Sequence, residues 1–198
     1  HENRFSHYHG NRVCDSGGFA MMWPQVAAGE NTAKWFYYHP STQKRIEEGD
    51  LVLCELACCV DGYYADLTRS FVVGEPTDEQ RDLWDASKAA LDAAVAAIRP
   101  GVHASEVDRA ARDAIGAYEE FFPHHTGHGV GWKYHEPTPY VVPHSEHILE
   151  EGMYMALEPA AYVPGVGGAR NEWNVIVTAD GCEVIDTAAP VAIECEIR

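Results

Sequence analysis

Residues 51–73 read LVLCELACCVDGYYADLTRSFVV, and this stretch decides the fold. Leu51 to Leu56 is apolar apart from Glu55, the pattern of a buried strand. Asp61-Gly62 is a two-residue hairpin signal, and Ala65 to Val73 is the returning strand, closed by Gly74 and Pro76. Alternation puts Leu51, Leu53 and Glu55 on one face, so a carboxylate shares its face with core residues. Asp66 shares its face with Thr68 and Ser70. A hairpin centred between residues 60 and 61 sets Glu55 opposite Asp66; a bulge would shift this by one residue.

Further along, Met153–Pro159 and Arg170–Thr178 read as a second strand pair around Pro164-Gly165-Val166-Gly167-Gly168. Tyr154, Ala156 and Glu158 fall on one face, and Arg170, Glu172 and Asn174 on one face of the return. Glu158 and Glu172 are centred on Gly165. Each hairpin thus brings two carboxylates together in mid-strand.

Between the hairpins lie two helical patterns. Thr77 followed by Asp78, Glu79 and Gln80 is a capping box, and Leu83, Ser87, Ala90, Leu91, Ala94 and Ile98 recur at helical spacing up to Pro100-Gly101. Ser105 opens a second helix that carries Val107, Ala111, Ala114, Ile115 and Tyr118 on one side and ends by Pro123. His124 to His147 reads as loop, and residues 17–45 as short strands and loops. Strands, two helices, then strands indicate an α+β fold, with no linker dividing residues 1–198.

The chain has 14 Lys and Arg against 31 Asp and Glu, a formal net charge of -17. Such a surface repels phosphate backbones, which argues against a nucleic-acid partner, and no apolar run approaches a membrane span. The six cysteines lack CxxC spacing and fit buried thiols of a cytoplasmic protein. The chain begins at His1, and its first twenty residues are rich in His, Asn, Gly and Ser; they suggest a chain cut from something longer, or processed.

Four buried acids cannot all stay ionised without cations. Arg69 and Arg170 are too few to neutralise four carboxylates, so a divalent metal, or a pair of them, answers the charge better. The stretch His124-His125-Thr126-Gly127-His128-Gly129-Val130-Gly131 supplies an imidazole flanked by glycines, which let backbone approach closely. One His with four carboxylates suits Mn, Fe, Co or Zn rather than Ca.

Several of these stretches together resemble a known family. They are Gly62–Phe71, Thr126–Gly131, His135-Glu136-Pro137, Leu157-Glu158-Pro159 and Gly168-Ala169-Arg170-Asn171-Glu172. In that order they look like the pita-bread metallopeptidases, peptidase family M24: methionine aminopeptidase, Xaa-Pro aminopeptidase, prolidase and creatinase. The likeness runs from about Ala27 to about Asp186 and is nearest to the Xaa-Pro branch. It implies a pita-bread fold, a pseudo-symmetric antiparallel sheet covered by helices, lacking the start of the domain. It also implies two divalent metal ions (Mn, Co, Fe or Zn) on Glu55, Asp66, His128, Glu158 and Glu172. Glu158 would double as acid/base, His135 would contact substrate or shuttle protons, and His124 matches a histidine four residues before the ligand. The implied substrate is a small peptide or amide, and relatives are often homodimers.

The sequence departs from that pattern in three places. Glu55 stands where the family has Asp. Trp173-Asn174 replaces two acids that often follow the last Glu. His39 is displaced by about two residues from the usual substrate-facing histidine. His39, Trp35 and Arg170 are the substrate-contact candidates, with Trp132 also near the pocket. Two other readings stay open: a metal-free amidohydrolase of the creatinase or ectoine-hydrolase kind, and a binding module that kept the fold. His144 and His147 read as solvated, and Cys58 and Cys59 as inert.

Overall fold

A computed structural model describes residues 1–2, 4, 19–20, 25–37, 41–187 and 191–195. His39 and Trp23 lie outside them, as does the side chain of Trp35, whose backbone is in a 3-10 helix over Gly29–Tyr37.

The first hairpin is β3 (Leu51–Val60) and β4 (Tyr63–Val73). Asp61 and Gly62 both take positive φ, 52° and 89°, as a tight two-residue turn between twisted strands requires. That turn pairs Val60 with Tyr63 and carries the register to Leu51↔Val72. The hairpin is therefore centred between residues 61 and 62, and the expected pairing is corrected: Glu55 faces Thr68, and Asp66 faces Ala57. The two acids remain on one face as diagonal neighbours. On its other edge β3 pairs with β1 (Phe19–Ala20) and β2 (Gln25–Ala28).

The helices follow as α1 (Asp78–Ala97) and α2 (Ala104–Ile115). Thr77 caps α1 reciprocally with Gln80: the Gln80 N–H donates to Thr77 Oγ1 at 3.2 Å, and the Thr77 N–H donates to Gln80 Oε1 at 2.9 Å. The second helix starts one residue before the expected Ser105, because Glu106 reaches back to the His103 N–H at 3.3 Å and satisfies a donor there. It ends at Ile115, where Gly116 has φ 62°; a 3-10 turn, Gly116–Phe121, then leads to Pro123. Leu83, Leu91, Val107 and Ile115 from these helices pack with Leu149, Met155, Leu157 and Val175 in the main core.

The expected loop region contains two strands, β5 (Gly127–Gly129) and β6 (Glu136–Val141). With β7 (Tyr154–Leu157), β10 (Trp173–Val177) and β11 (Cys182–Val184) they form a sheet in the order β11-β10-β7-β5-β6. A separate ribbon pairs β8 (Ala160–Val163) with β9 (Gly167–Arg170). The described ladders are antiparallel except β12 (Glu194–Cys195), which runs parallel to β4.

The second hairpin is not continuous, contrary to its sequence pattern. It breaks at Glu158-Pro159 and at Asn171-Glu172. Proline has no N–H to continue a ladder, and the Glu158 N–H instead donates to Thr126 O at 2.8 Å. The registers on either side, Leu157↔Trp173 and Ala160↔Arg170, bracket the break and keep Glu158 level with Glu172. Helix α1 braces it: Ser87 Oγ donates to Pro159 O at 3.0 Å and accepts from the Asn171 N–H at 3.2 Å.

Candidate metal centre

Four side chains meet at the two hairpins and β5. Asp66 comes from β4, His128 from the middle of β5, Glu158 from the end of β7 and Glu172 from the step before β10. All four are buried. His128 Nε2 lies 3.5 Å from Asp66 Oδ2 and 3.4 Å from Glu158 Oε1. Asp66, His128 and Glu172 each offer one ligand atom within 4.8 Å of the others.

Glycines on both sides of His128 are what let β5 enter this space. A Cβ at Gly127 would stand 2.2 Å from the Ala156 carbonyl oxygen, and one at Gly129 2.4 Å from the Thr138 oxygen. Neither backbone can yield without breaking the sheet. Gly127→Ala should cost about 2–3 kcal/mol of stability, read as a lowered midpoint in chemical unfolding; an unchanged midpoint would mean that β5 shifts freely.

The polar balance of the cluster points to a cation. Among the described residues, Asp66 Oδ1, His128 Nε2 and both oxygens of Glu172 are buried without a hydrogen-bond partner. Such orphans are rare, because each forfeits its hydration. Burial pushes the Asp66 carboxyl up to about 6, with Glu55 and Glu158 adding to the rise and His128 opposing it. Glu172 is driven well above the ordinary carboxylate range by burial and by the charges of Asp66 and Glu158. Burial alone would lower His128, but contact with Asp66 and Glu158 lifts it to about 10. A protonated imidazole thus stands where a cation is wanted. His128 Nδ1 faces the Gly129 carbonyl at 2.9 Å, which turns Nε2 toward the acids. Oxygen donors plus one imidazole nitrogen fit a divalent transition ion.

Glu55 stands apart from this set. Its Oε1 accepts from Tyr134 Oη at 2.7 Å, and its Oε2 is bonded by Arg170 Nη2. Arg170 is buried, and its Nε donates to Thr68 Oγ1 at 3.1 Å while Nη1 lies 3.3 Å from Glu158 Oε2. Burial opposes its charge, but Glu55, Tyr162 and Glu158 hold its pKa well above the usual value. Burial likewise opposes ionisation of Glu158, yet Arg170, His125 and His128 keep its pKa well below the ordinary range. Arg69 turns instead to the backbone oxygens of Glu172 and Thr68. The arginine placed by sequence among the substrate contacts therefore lines the wall of the cluster.

The histidines are layered behind and above. His135 is exposed and stacks on His128, ring centroids 3.6 Å apart; partial burial and the His128 charge hold it down to about 4. His124 stands behind them: its Nε2 is 3.0 Å from Tyr162 Oη, and burial lowers it to about 4. Its neighbour His125, given no role from sequence, has Nε2 2.7 Å from Glu158 Oε1 and Nδ1 3.0 Å from Tyr140 Oη. The 125, 128, 135 spacing of histidines was the available signal. Asn174 was also passed over as a contact: its Nδ2 donates to the Asp66 backbone oxygen, and its Oδ1 accepts from the Asp66 N–H at 3.3 Å. Trp173 lies under Lys88 Nζ, 4.8 Å from the ring centroid. Trp132 is exposed and packs on Tyr63. His147 is not merely solvated, since its Nδ1 accepts from the Tyr140 N–H at 3.0 Å.

Comparison with known proteins gives the family. The profile of metallopeptidase family M24 matches residues 2–179. The Xaa-Pro dipeptidase of Pyrococcus furiosus is 38% identical over 160 residues, which is 80% of this chain and 45% of that protein. The Xaa-Pro dipeptidase of Lactobacillus helveticus is 39% identical over 158 residues, 79% of this chain and 42% of that one. The crystal structure of a dipeptidase from Pyrococcus horikoshii OT3 superimposes with a TM-score of 0.93 at 32% identity, over 98% of this chain and 54% of the other. This chain thus spans about half the length of the proteins it matches. No helix among the described residues is long and apolar enough to cross a membrane. With residues 2–179 matched and the fold shared, the chain belongs to metallopeptidase family M24.

Proposed function

We propose that this chain is the catalytic part of a metal-dependent peptidase that cleaves Xaa-Pro dipeptides or closely related small peptides. The observation that carries this reading is the convergence of orphaned buried ligand atoms from Asp66, His128 and Glu172. The relatives named Xaa-Pro dipeptidase support the substrate class. A divalent ion held by Asp66, His128, Glu172 and Glu158 would polarise the scissile carbonyl and lower the pKa of a water.

The chain's own residues do the rest. Glu158, kept ionised by Arg170 and His125, accepts the proton of the attacking water and delivers it to the leaving nitrogen. His125 fixes the orientation of that carboxylate from behind. His135, exposed above His128, is placed to hold the substrate or the leaving group. His124 acts at one remove, through Tyr162 and Arg170.

The test is hydrolysis of an Xaa-Pro dipeptide by the full protein, stripped of metal and then reloaded with Mn or Co. Turnover should vanish on stripping and return on loading. Metal-loaded protein that cleaves no such peptide would overturn the substrate reading, and turnover of a small amide without metal would select the metal-free amidohydrolase instead. Metal affinity should also rise with pH. In the metal-free chain Asp66 keeps its proton up to about pH 6 and His128 carries one as well, so a bound ion must displace protons. Calorimetric titration should show binding at least about tenfold tighter near pH 8 than near pH 5, whereas a flat profile would contradict the ligand set.

A further inference from the structure

We propose that this chain holds a single divalent ion tightly, and that Glu55, Arg170 and Tyr134 together close the position a second ion would take. The inference rests on the metallopeptidase reading and concerns how its centre is filled. Five ligand-type side chains are present, but they do not stand alike. Asp66, His128 and Glu172 each carry a buried atom without a hydrogen-bond partner, and each offers a ligand atom within 4.8 Å of the others'. Both carboxylate oxygens of Glu55 are already taken, one by the Arg170 guanidinium and one by the Tyr134 hydroxyl.

An ion that recruited Glu55 would have to break that pair. Arg170 has nowhere to retreat: it is buried, with Nε on Thr68 Oγ1 and Nη1 between Glu158 and Tyr162 Oη. The incoming dication would therefore share a dry site with a guanidinium that has lost one of its two carboxylate partners, and opening one side of a buried ion pair is costly. Reach explains why the pair exists. A glutamate extends one C–C bond further than an aspartate, about 1.5 Å, and that length carries the carboxylate across to Arg170 and Tyr134. A shorter acid at position 55 would leave both partners and release the second position.

The test is titration of the metal-free full chain with Mn(II), followed by calorimetry and electron paramagnetic resonance. The wild type should take one ion tightly per chain, with an uncoupled hyperfine sextet, and a second at least about a hundredfold more weakly. Glu55→Asp should take two ions of comparable affinity and show an exchange-coupled spectrum. Tyr134→Phe, which frees one Glu55 oxygen without shortening the acid, should tighten the second ion severalfold and stands in if Glu55→Asp does not fold. Two comparable tight ions in the wild type would overturn the proposal and leave the metallopeptidase reading intact. So would a Glu55→Asp titration indistinguishable from wild type. No tight ion at all would overturn both.

Discussion

Glu158→Gln is expected to lower kcat by about a thousandfold or more while the protein remains folded and metal still binds. The substitution keeps the side chain's size and its place between Pro159 and the end of β7. It removes the negative charge that Arg170, His125 and His128 all address. Those three contacts hold the Glu158 pKa well below the ordinary range despite burial, so at neutral pH it is ionised and free to accept a proton. Positioned acid/base groups contribute about 10²–10⁴-fold, and losing a ligand oxygen adds to that. The effect should fall on kcat rather than KM, because Glu158 meets the water and the leaving nitrogen instead of the substrate side chains. Activity within tenfold of wild type would assign Glu158 to balancing Arg170 and move the proton transfer to His135.

The parts of this centre that could be read in sequence were those set by local pattern. The Thr77–Gln80 cap, the Asp61-Gly62 turn and the centring of Glu158 and Glu172 on Gly165 are local features, and each was legible. The first register was misplaced because a hairpin centre depends on the turn's dihedral angles. Moving the centre from 60/61 to 61/62 shifted Glu55 from Asp66 to Thr68. The break at Glu158-Pro159 was signalled by the proline. Its consequence, a Glu158 N–H redirected to Thr126, needed the neighbouring strand β5. What sequence could not supply was pairing across distance. Glu55 meets Arg170 across 115 residues and Tyr134 across 79, and spacing alone treats it as one more free acid. His125 is hidden for the opposite reason: it adjoins His124, and spacing alone does not tell which of two neighbouring imidazoles meets Glu158.

His128→Ala should all but eliminate the stabilisation that metal confers. In the wild type the imidazole Nε2 is buried without a hydrogen bond and faces Asp66 and Glu158. An ion at a thousand times its dissociation constant stabilises the folded state by about 4 kcal/mol, which for a domain of this size raises Tm by about 10 °C. Alanine removes the nitrogen donor and leaves oxygen donors alone, a set suited to harder ions held more weakly. The affinity for Zn or Co should fall about a thousandfold, so the same metal concentration should shift Tm by less than about 2 °C. The metal-free variant separates two contributions. Without metal, His128 carries the positive charge that faces Asp66 and opposes the rise of its pKa. Its loss should therefore raise the Asp66 pKa further and make the metal-free protein less stable as pH rises, because a buried carboxylate whose pKa is elevated loses stability on ionising. Differential scanning calorimetry with and without metal, at two pH values, reads both effects. A metal-dependent Tm shift as large in His128→Ala as in wild type would remove the imidazole from the ligand set and leave the chain a carboxylate site of the family's fold.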